Sequence, residues 1–337
     1  MKSGKKRRLT IADIASRAGV SKATVSRVIS NPALVKAETK KKIRAMMDRY
    51  DYIPNNLAAG LAGNPTRTIG VVIDELSNFF FIEIAEGIDR VISSAGYSML
   101  LSSSRWIQER ETGLVRSMIS SWVDGVLLAP VSPESESINM LKRAGIPFVL
   151  IDCIPDSDAI SFVATDNFRG GQIAADYINR HKREQTIIIT GYEHQTVNSR
   201  MAGLKDTLHP SITFRHYTDV KTMEEGYNLV PLLLEKEKIA TVSTMLFVTN
   251  DNVAIGIINR LREYKIRIPE QVSIMGYDNI KISGLCGVPL TTVSQPIFDM
   301  GRIAAMELLD MMAGNSTTPR RHIIQPELVE RESTTSP

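Results

Sequence analysis

The stretch from residue 10 to residue 30 constrains the fold of this chain more than any other. Thr10 and Asp13 have the spacing of a helix-start box, and an apolar stripe with helical spacing follows. That stripe consists of Ile11, Ile14, Ala15 and Ala18. Gly19 can end this helix, and Ser21 can cap a second one, whose inner side carries Val25, Val28 and Ile29. Two short helices joined by a tight glycine turn predict a helix-turn-helix.

A third helix, from about residue 37 to 50, can close a small core with its own apolar stripe. Residues 1–60 contain 14 basic and 4 acidic residues, a net charge of +10, whereas the rest of the chain has a net charge of −7. A small basic unit on a larger acidic one is typical of a polyanion-binding head. For the first eight residues the alternative is a solvated tail.

The second helix has an outer side that differs from an ordinary solvated one. Ala23, Ser26, Arg27 and Ser30 lie opposite the apolar residues, and Lys22 begins the helix. Small side chains let a helix approach base edges closely, and hydroxyl and guanidinium groups can bond to bases and phosphates. We therefore predict a major-groove recognition helix. The alternative is a surface helix of a small bundle.

The remainder of the chain alternates short apolar runs with helical patterns, which predicts parallel sheets covered on both faces. A first series of strands lies at 68–74, 98–102, 125–130 and 147–152, with helices near 79–95, 107–120 and 134–144. A second series lies at 160–166, 185–190, 244–249 and 272–278. We predict two doubly wound subdomains with a ligand cleft at the carboxyl ends of their strands.

Other function classes find little support in the sequence. No phosphate-binding glycine loop or nucleophile elbow is present, and the five histidines lack the spacing of metal ligands, so we expect neither an enzyme, a metal nor a cofactor. The two cysteines are too few for a disulfide framework, and no apolar segment is long enough for a membrane span. We expect a cytoplasmic protein that does not bind membranes.

Polar residues cluster at the predicted strand ends: Asp74, Asp152, Asp166, Asn250, Asp251 and Asp278, with Arg200 at a helix start and Gln295 nearby. Carboxylates, amides and a guanidinium that converge on a cleft suit a polyhydroxylated ligand, because each can bond two hydroxyls. For Asp74, Asp166 and Asp251, helix capping is at least as good an explanation.

The chain resembles the lactose/galactose repressor (LacI/GalR) family of bacterial transcription factors. The head "LTIADIASRAGVSKATVSRVISN" and the motif "YIPNNLAAGL" match that family, as do "TNDNVAIG", "VSIMGYDN" and "PLTTVSQP" in the body. The resemblance implies an all-α helix-turn-helix domain at 1–53, a hinge at 54–67, and a periplasmic-binding-protein-like α/β core at 68–337. Within that core we expect one subdomain at about 68–160 and 292–318, and the other at about 161–291 and 319–332.

By matched position, the resemblance implies base contacts by Lys22, Ala23 and Arg27. It implies phosphate contacts by Thr10, Ser21, Thr24, Ser26 and Asn55. It also implies a hinge helix that orders on DNA and inserts Leu61 into the minor groove, where the energy cost of unstacking is recovered by contacts on bent DNA. The alternative for Leu61 is a linker residue that covers a domain face. Gly60 within this hinge costs roughly 1 kcal/mol relative to alanine, which weakens the ordering.

Family ligand contacts match Phe80 or Phe81, Asp152, Arg200, Asn250, Asp278 and Gln295. We expect only one of the two phenylalanines to face the cleft, and the other to belong to the core. A sugar or sugar acid is the expected effector, and a nucleobase is the alternative. Further expectations are a homodimer, a near-palindromic operator, and repression of a carbohydrate-utilisation operon.

Overall fold

The computed structural model describes residues 9–30, 32–53, 65–316 and 318–334. The chain divides into two compact units, Met1–Arg67 and Thr68–Pro337. No helix within these described residues is both long and apolar enough to cross a membrane.

The first unit contains the helices α1 (Ile11–Ala18), α2 (Lys22–Ser30) and α3 (Ala37–Arg49), with a 3-10 turn at Pro32–Leu34. The predicted capping box is present, because Thr10 Oγ1 accepts from Asp13 N while the Asp13 carboxylate accepts from Thr10 N. Gly19 ends α1 with a φ of 65°, a left-handed conformation that glycine adopts without steric cost. Apolar residues of all three helices form one small core: Ile14, Ala15, Ala18, Val25, Val28 and Ile43.

The second unit contains two six-stranded sheets with helices between their strands. The helices are α4 (Phe79–Ser94), α5 (Gln108–Ser120), α6 (Glu136–Ala144), α7 (Asn167–Arg180), α8 (Gln195–Thr207), α9 (Met223–Lys236), α10 (Asp251–Glu263) and α11 (Ile297–Met312). A second 3-10 turn spans Lys281–Gly284.

The first sheet contains β1 (Thr68–Ile73), β2 (Ser98–Ser103), β3 (Gly125–Leu128), β4 (Phe148–Ile151), β5 (Phe162–Thr165) and β11 (Arg321–Ile324), in the order β11-β5-β4-β3-β1-β2. The second contains β6 (Gln185–Ile189), β7 (Phe214–Tyr217), β8 (Thr244–Val248), β9 (Val272–Asp278), β10 (Thr291–Ser294) and β12 (Glu327–Val329), in the order β12-β10-β9-β8-β6-β7. The described pairs are parallel except β10 with β12. This is the predicted fold class, a helical head and two parallel-sheet subdomains.

The predicted subdomain boundaries were wrong at three strands. Strand β5 pairs with β4 in the first sheet, although the second series was expected to start there. Strand β10 belongs to the second sheet and β11 to the first, the reverse of their expected places. The chain therefore crosses between the sheets after β5, after β10, and between β11 and β12.

The wrong boundary at β5 has a physical cause. Parallel neighbours are usually joined by a helix, but residues 152–161 connect β4 to β5 without one. A break in the strand-helix alternation is typical of a change of subdomain, but here the chain stays in the same sheet. Strands β7, β11 and β12 escaped prediction because they are short edge strands whose residues are half-buried or exposed, so no apolar run marks them.

Candidate functional site

Helix α2 of the first unit has one buried and one exposed side. Val25 and Val28 are buried in the three-helix core, whereas Lys22, Ala23 and Arg27 are exposed. The three residues that the family resemblance assigns to base reading thus share the solvent side of one helix. A side chain as small as that of Ala23 lets this helix come close to a base edge or a thymine methyl group.

The expected phosphate contacts lie at helix starts. Ser21 Oγ accepts from Thr24 N at 3.1 Å and bonds Thr24 Oγ1 at 2.8 Å, so Ser21 and Thr24 form the start of α2. The Thr10 hydroxyl donates to Asp13 Oδ2, and Ser26 is half-buried. Asn55, Leu61 and the side chain of Ser30 lie outside the described part of the structure.

The second unit has a cleft between its two sheets, where the carboxyl ends of both sets of strands meet. Its cavity measures about 60 Å³. The lining residues are Glu75, Asn78, Phe80, Phe81, Trp106, Asp152, Gly191, Tyr192, His194, Thr196, Val197, Arg200, Lys221, Thr249, Asn250 and Asp278. Most of the predicted effector contacts therefore lie together.

Arg200, on α8, is buried and held from several sides. Its Nε donates to Asn167 Oδ1 at 2.8 Å, and its Nη1 donates to the carbonyl oxygen of Thr249 at 2.7 Å. Asp278 Oδ1 lies 3.8 Å from Nη1, and the Tyr277 ring centre lies 3.8 Å from the guanidinium carbon. These contacts fix the orientation of Arg200 at the cavity wall.

Two buried carboxyl groups stand beside this guanidinium. Burial raises the pKa of Asp152 to about 7, although the Arg200 charge opposes the shift. Burial likewise raises the pKa of Asp278 to about 6, against the opposing effects of Arg200 and a hydrogen bond from Gln295. Both residues have a positive φ, 55° at Asp152 and 121° at Asp278. Such conformations cost energy and are concentrated at functional sites.

Other predicted strand-end residues form helix caps or hydrogen bonds within the protein. Asp166 caps α7 and Asn250 caps α10, each through a side-chain oxygen, although Asn250 also lines the cavity. Asp251 accepts from Thr292 Oγ1 and Ile280 N, and Asp74 accepts from Ser104 Oγ, so these two bond inside the protein rather than capping helices. Gln295 is behind the cavity lining and donates to Asp278 Oδ1 at 2.7 Å.

The aromatic part of the cleft is larger than predicted. Phe80 and Phe81 both border the cavity, and both are also buried members of the hydrophobic core. Trp106 follows β2 and stacks on Tyr192 from the other subdomain, with ring centres 4.6 Å apart and an interplanar angle of 26°. His194 meets the edge of Trp106, and burial lowers the pKa of its imidazole. Sequence reasoning missed Trp106 and Tyr192, although each lies three residues after the end of a strand.

Polar contacts also join the two subdomains across the cleft. Asn252 Nδ2 donates to Asn78 Oδ1 at 2.6 Å. Gln195 bonds both the N–H and the carbonyl oxygen of Ile154, each at 2.9 Å. Together with the ring stack, these bonds connect the two subdomains across the cleft.

A larger groove of about 780 Å³ lies on the outside of α9 and α10 and shares no lining residue with the cleft. It lacks the convergent strand-end groups of the cleft, so its size does not make it the better candidate. Among the described residues, no group of three or more potential ligands could hold a metal ion.

Two family models match the chain. Residues 10–55 match the model described as bacterial regulatory proteins, lacI family. Residues 177–334 match the model of the periplasmic binding protein-like domain.

Full-length relatives agree with these models. The chain is 31% identical over 330 residues to the HTH-type transcriptional repressor PurR of Vibrio atlanticus, which covers 96% of this chain and 98% of that protein. It is 31% identical over 333 residues to catabolite control protein A of Priestia megaterium, covering 97% and 99%. A ribose-bound LacI family regulator from Enterococcus faecalis has a TM-score of 0.71 and 29% identity, covering 79% of this chain and 98% of that one. The chain therefore belongs to the LacI family of bacterial transcriptional regulators, with a helix-turn-helix that binds DNA and a domain that binds a ligand.

Proposed function

We propose that this protein is a homodimeric repressor that binds a near-palindromic operator and responds to a small effector in the cleft of its second unit. The observation that carries the proposal is the exposed face of α2, where Lys22, Ala23 and Arg27 lie opposite a buried apolar side. The regulated genes are proposed to form a carbohydrate-utilisation operon. The similarity to the transcriptional repressor PurR supports repression rather than activation.

The residue roles on DNA follow from the chemistry of α2. Arg27 is proposed to bond a base edge, and Lys22 and Ala23 to select sequence beside it. Thr10, Ser21, Thr24, Ser26 and Asn55 are proposed to contact phosphates, and Leu61 to enter the minor groove.

The effector site is proposed to be the cleft, with Phe80, Phe81, Asp152, Arg200, Asn250 and Asp278 in contact with ligand and Gln295 holding Asp278. A sugar or sugar acid is the preferred effector, and a nucleobase is the alternative. Bound ribose in a related regulator supports the sugar. The buried carboxylates also support it, because they accept hydrogen bonds from hydroxyls.

The dimer is proposed to form through exposed apolar side chains of the second unit. These are Leu76, Phe79, Ile82, Leu100 and Leu285. The backbone N–H of Lys281 donates to Glu83 Oε1 at 2.7 Å, so the 3-10 turn that precedes Leu285 lies against α4, which carries Phe79 and Ile82. Exposed apolar surface of this kind marks protein–protein contact sites.

Effector and operator are proposed to be coupled through the opening and closing of the cleft. A ligand that favours one arrangement of the subdomains changes the spacing of the two heads in a dimer. The coupling is reciprocal, so the operator changes effector affinity by the same factor as the effector changes operator affinity.

The experiment is a selection of duplex DNA by the purified protein, followed by titration of the selected duplex at several salt concentrations. A repressor that neutralises phosphates with Lys and Arg loses affinity steeply as salt rises, because counterions are released on binding. Absence of any selected sequence, or binding that does not depend on salt, would contradict the proposal. Arg27→Ala should weaken binding to the selected duplex more than binding to a duplex of random sequence.

A further inference from the structure

The polar segment at residues 331–334, which follows β12, is partly buried. Arginine, serine and threonine are mostly exposed in folded proteins, yet Ser333 and Thr334 are buried and Arg331 is half-buried. A buried hydroxyl is costly unless it is hydrogen-bonded. The contacts of this segment therefore show what it holds together.

Ser333 bonds two neighbouring strands. Its backbone N–H donates to the carbonyl oxygen of Pro289 at 2.9 Å, and its own carbonyl oxygen accepts from Ile274 N at 2.8 Å. Its hydroxyl donates to the carbonyl oxygen of Ile274 at 2.5 Å and accepts from Thr291 N at 2.8 Å. The segment is thereby fixed against β9 and the start of β10.

Arg331 extends this attachment to the connection between β9 and β10, residues 279–290. Its Nη2 donates to Asn279 Oδ1 at 2.6 Å, and its Nη1 donates to the carbonyl oxygen of Leu290 at 2.8 Å and to Ser283 Oγ at 3.4 Å. A Cβ added at Gly284 would lie 3.5 Å from the guanidinium carbon, so this group also packs on the 3-10 turn. One side chain thus contacts both ends of the connection and its middle.

The connection needs such contacts to keep its shape. Its only regular element within the described residues is the 3-10 turn. Asp278 and Asn279, where the chain leaves β9, have φ of 121° and 60°, and such conformations persist only where the surroundings hold them. Leu285 is largely exposed, so its own burial does not fix its position. Its position depends on the contacts of its neighbours.

The same connection reaches the first subdomain. Lys281 donates from its backbone N–H to Glu83 Oε1 at 2.7 Å, and its ammonium group bonds Glu86. Both carboxylates lie on α4, which also carries two exposed apolar residues of the proposed dimer surface. Packed interfaces require closely matching shapes. A shift of the turn would therefore displace Leu285 from the other apolar residues of that surface.

We propose that Arg331 is a positioning residue for the dimer, which fixes the 279–290 connection so that Leu285 meets a second copy of the chain. The proposal rests on the proposed function, which puts Leu285 in the dimer surface. It goes beyond that function because subunit association then depends on a residue that acts through the turn. A planar guanidinium suits this role, since it donates from separate nitrogens to several acceptors at once.

The first test measures the dimer dissociation constant by sedimentation velocity of fluorescently labelled protein over a dilution series. Arg331→Gln should raise this constant at least about tenfold, because hydrogen bonds from a charged donor are lost. Association equal to that of the wild type would overturn the proposal.

Thr334 provides a matched control in the same segment. Its hydroxyl bonds Tyr177 OH at 2.6 Å and Thr291 Oγ1 at 2.7 Å, and neither partner belongs to the 279–290 connection. Thr334→Val removes these buried bonds, so its Tm should fall, whereas its dimer dissociation constant should stay close to that of the wild type. Equal weakening of the dimer by the two variants would overturn the proposal, because the segment would then act only through overall stability.

The second test follows the connection directly, by hydrogen–deuterium exchange of peptides that cover residues 279–290. The protein is kept at concentrations where sedimentation shows monomers, so that a second copy does not protect the amides. Arg331→Gln should speed exchange in these peptides, including the N–H of Leu290, which donates to the carbonyl oxygen of Ser283 at 2.8 Å. Thr334→Val should leave it unchanged. Unchanged exchange in Arg331→Gln would contradict the positioning role.

Failure of this inference and failure of the proposed function give different results. Each preparation is also titrated with the selected duplex. A wild type that stays monomeric at every concentration refutes the proposed dimer and this inference together. A wild-type dimer that binds the selected duplex, with unchanged association in Arg331→Gln, refutes this inference alone.

Discussion

The substitution Asp152→Asn tests the electrostatics of the cleft in the absence of ligand. The pKa of this carboxyl is about 7 in the folded protein, against an ordinary value of 3.8. The titratable and charged groups around it are Arg200, Asp278, Asp74 and Cys153. Between pH 3.8 and 7 the folded state holds a proton that the unfolded state releases, so this group lowers the stability of the fold as pH rises through that window.

The magnitude follows from the shift. About three pH units, at about 1.4 kcal/mol each, give an upper limit of about 4 kcal/mol. Asparagine does not ionise and keeps nearly the same shape, so the variant avoids this loss while Asp278 remains as the ion-pair partner of Arg200. At about 2 °C per kcal/mol for a unit of this size, the Tm of the variant should exceed that of the wild type by up to roughly 8 °C at pH 8.

The assay is thermal unfolding followed by circular dichroism at half-unit steps from pH 4.5 to 8.5. The Tm difference between Asp152→Asn and wild type should be small at the acid end, widen towards pH 7, and level off above it. Asp176→Asn, at an exposed carboxylate of α7, is the control and should show no such trend. A difference that stays constant across this range would refute the reasoning, because Asp152 would then not titrate there.

Four further variants test the DNA face, the proposed dimer and the helix packing. Arg27→Ala should cost about 1–3 kcal/mol of operator binding free energy and relax the preference at one base pair. Lys2→Ala should cause a small loss of affinity for all sequences. Equal losses on all duplexes for Arg27→Ala would mean that Arg27 contacts phosphate and not a base. Leu285→Glu puts a charge on a side chain that is 84% exposed and should shift the protein to monomers in sedimentation; an unchanged dimer would remove this residue from the interface. Gly171→Ala would bring Cβ to 1.9 Å from the carbonyl oxygen of Arg200, so Tm should fall by the equivalent of at least about 1–3 kcal/mol. An unchanged Tm would show that α7 and α8 can separate freely.

Local signals predicted the first unit well. The capping box at Thr10, the left-handed Gly19 and the apolar residues of α1 and α2 are all encoded within twenty residues, so sequence reasoning placed these helices correctly. The strand-helix alternation gave the fold class in the same way.

Features that depend on distant parts of the chain were missed. Trp106 and Tyr192 come from different subdomains, so nothing in either local sequence indicates that their rings meet. The local sequence of a strand carries no mark of the sheet it joins, which explains the misplacement of β5 and β10. Helix capping and ligand binding favour the same polar residue types. Only the structure therefore shows that Asp166 caps a helix whereas Asp152 lines the cavity.

The return of the chain to the first sheet affects how this protein can fold while it is being synthesised. Strands β1 to β5 are synthesised early, but α11, which packs on α4 at Gly87 and Gly301, and the edge strand β11 come near the end. Until they emerge from the ribosome, α4 covers β1 and β2, but β3, β4 and β5 lack α11 on the same face of the first sheet. Contacts between such distant parts of a sequence also slow folding. A premature stop anywhere before residue 321 therefore removes part of the first subdomain as well as the second, and the growing chain depends on its last segment to bury its first sheet.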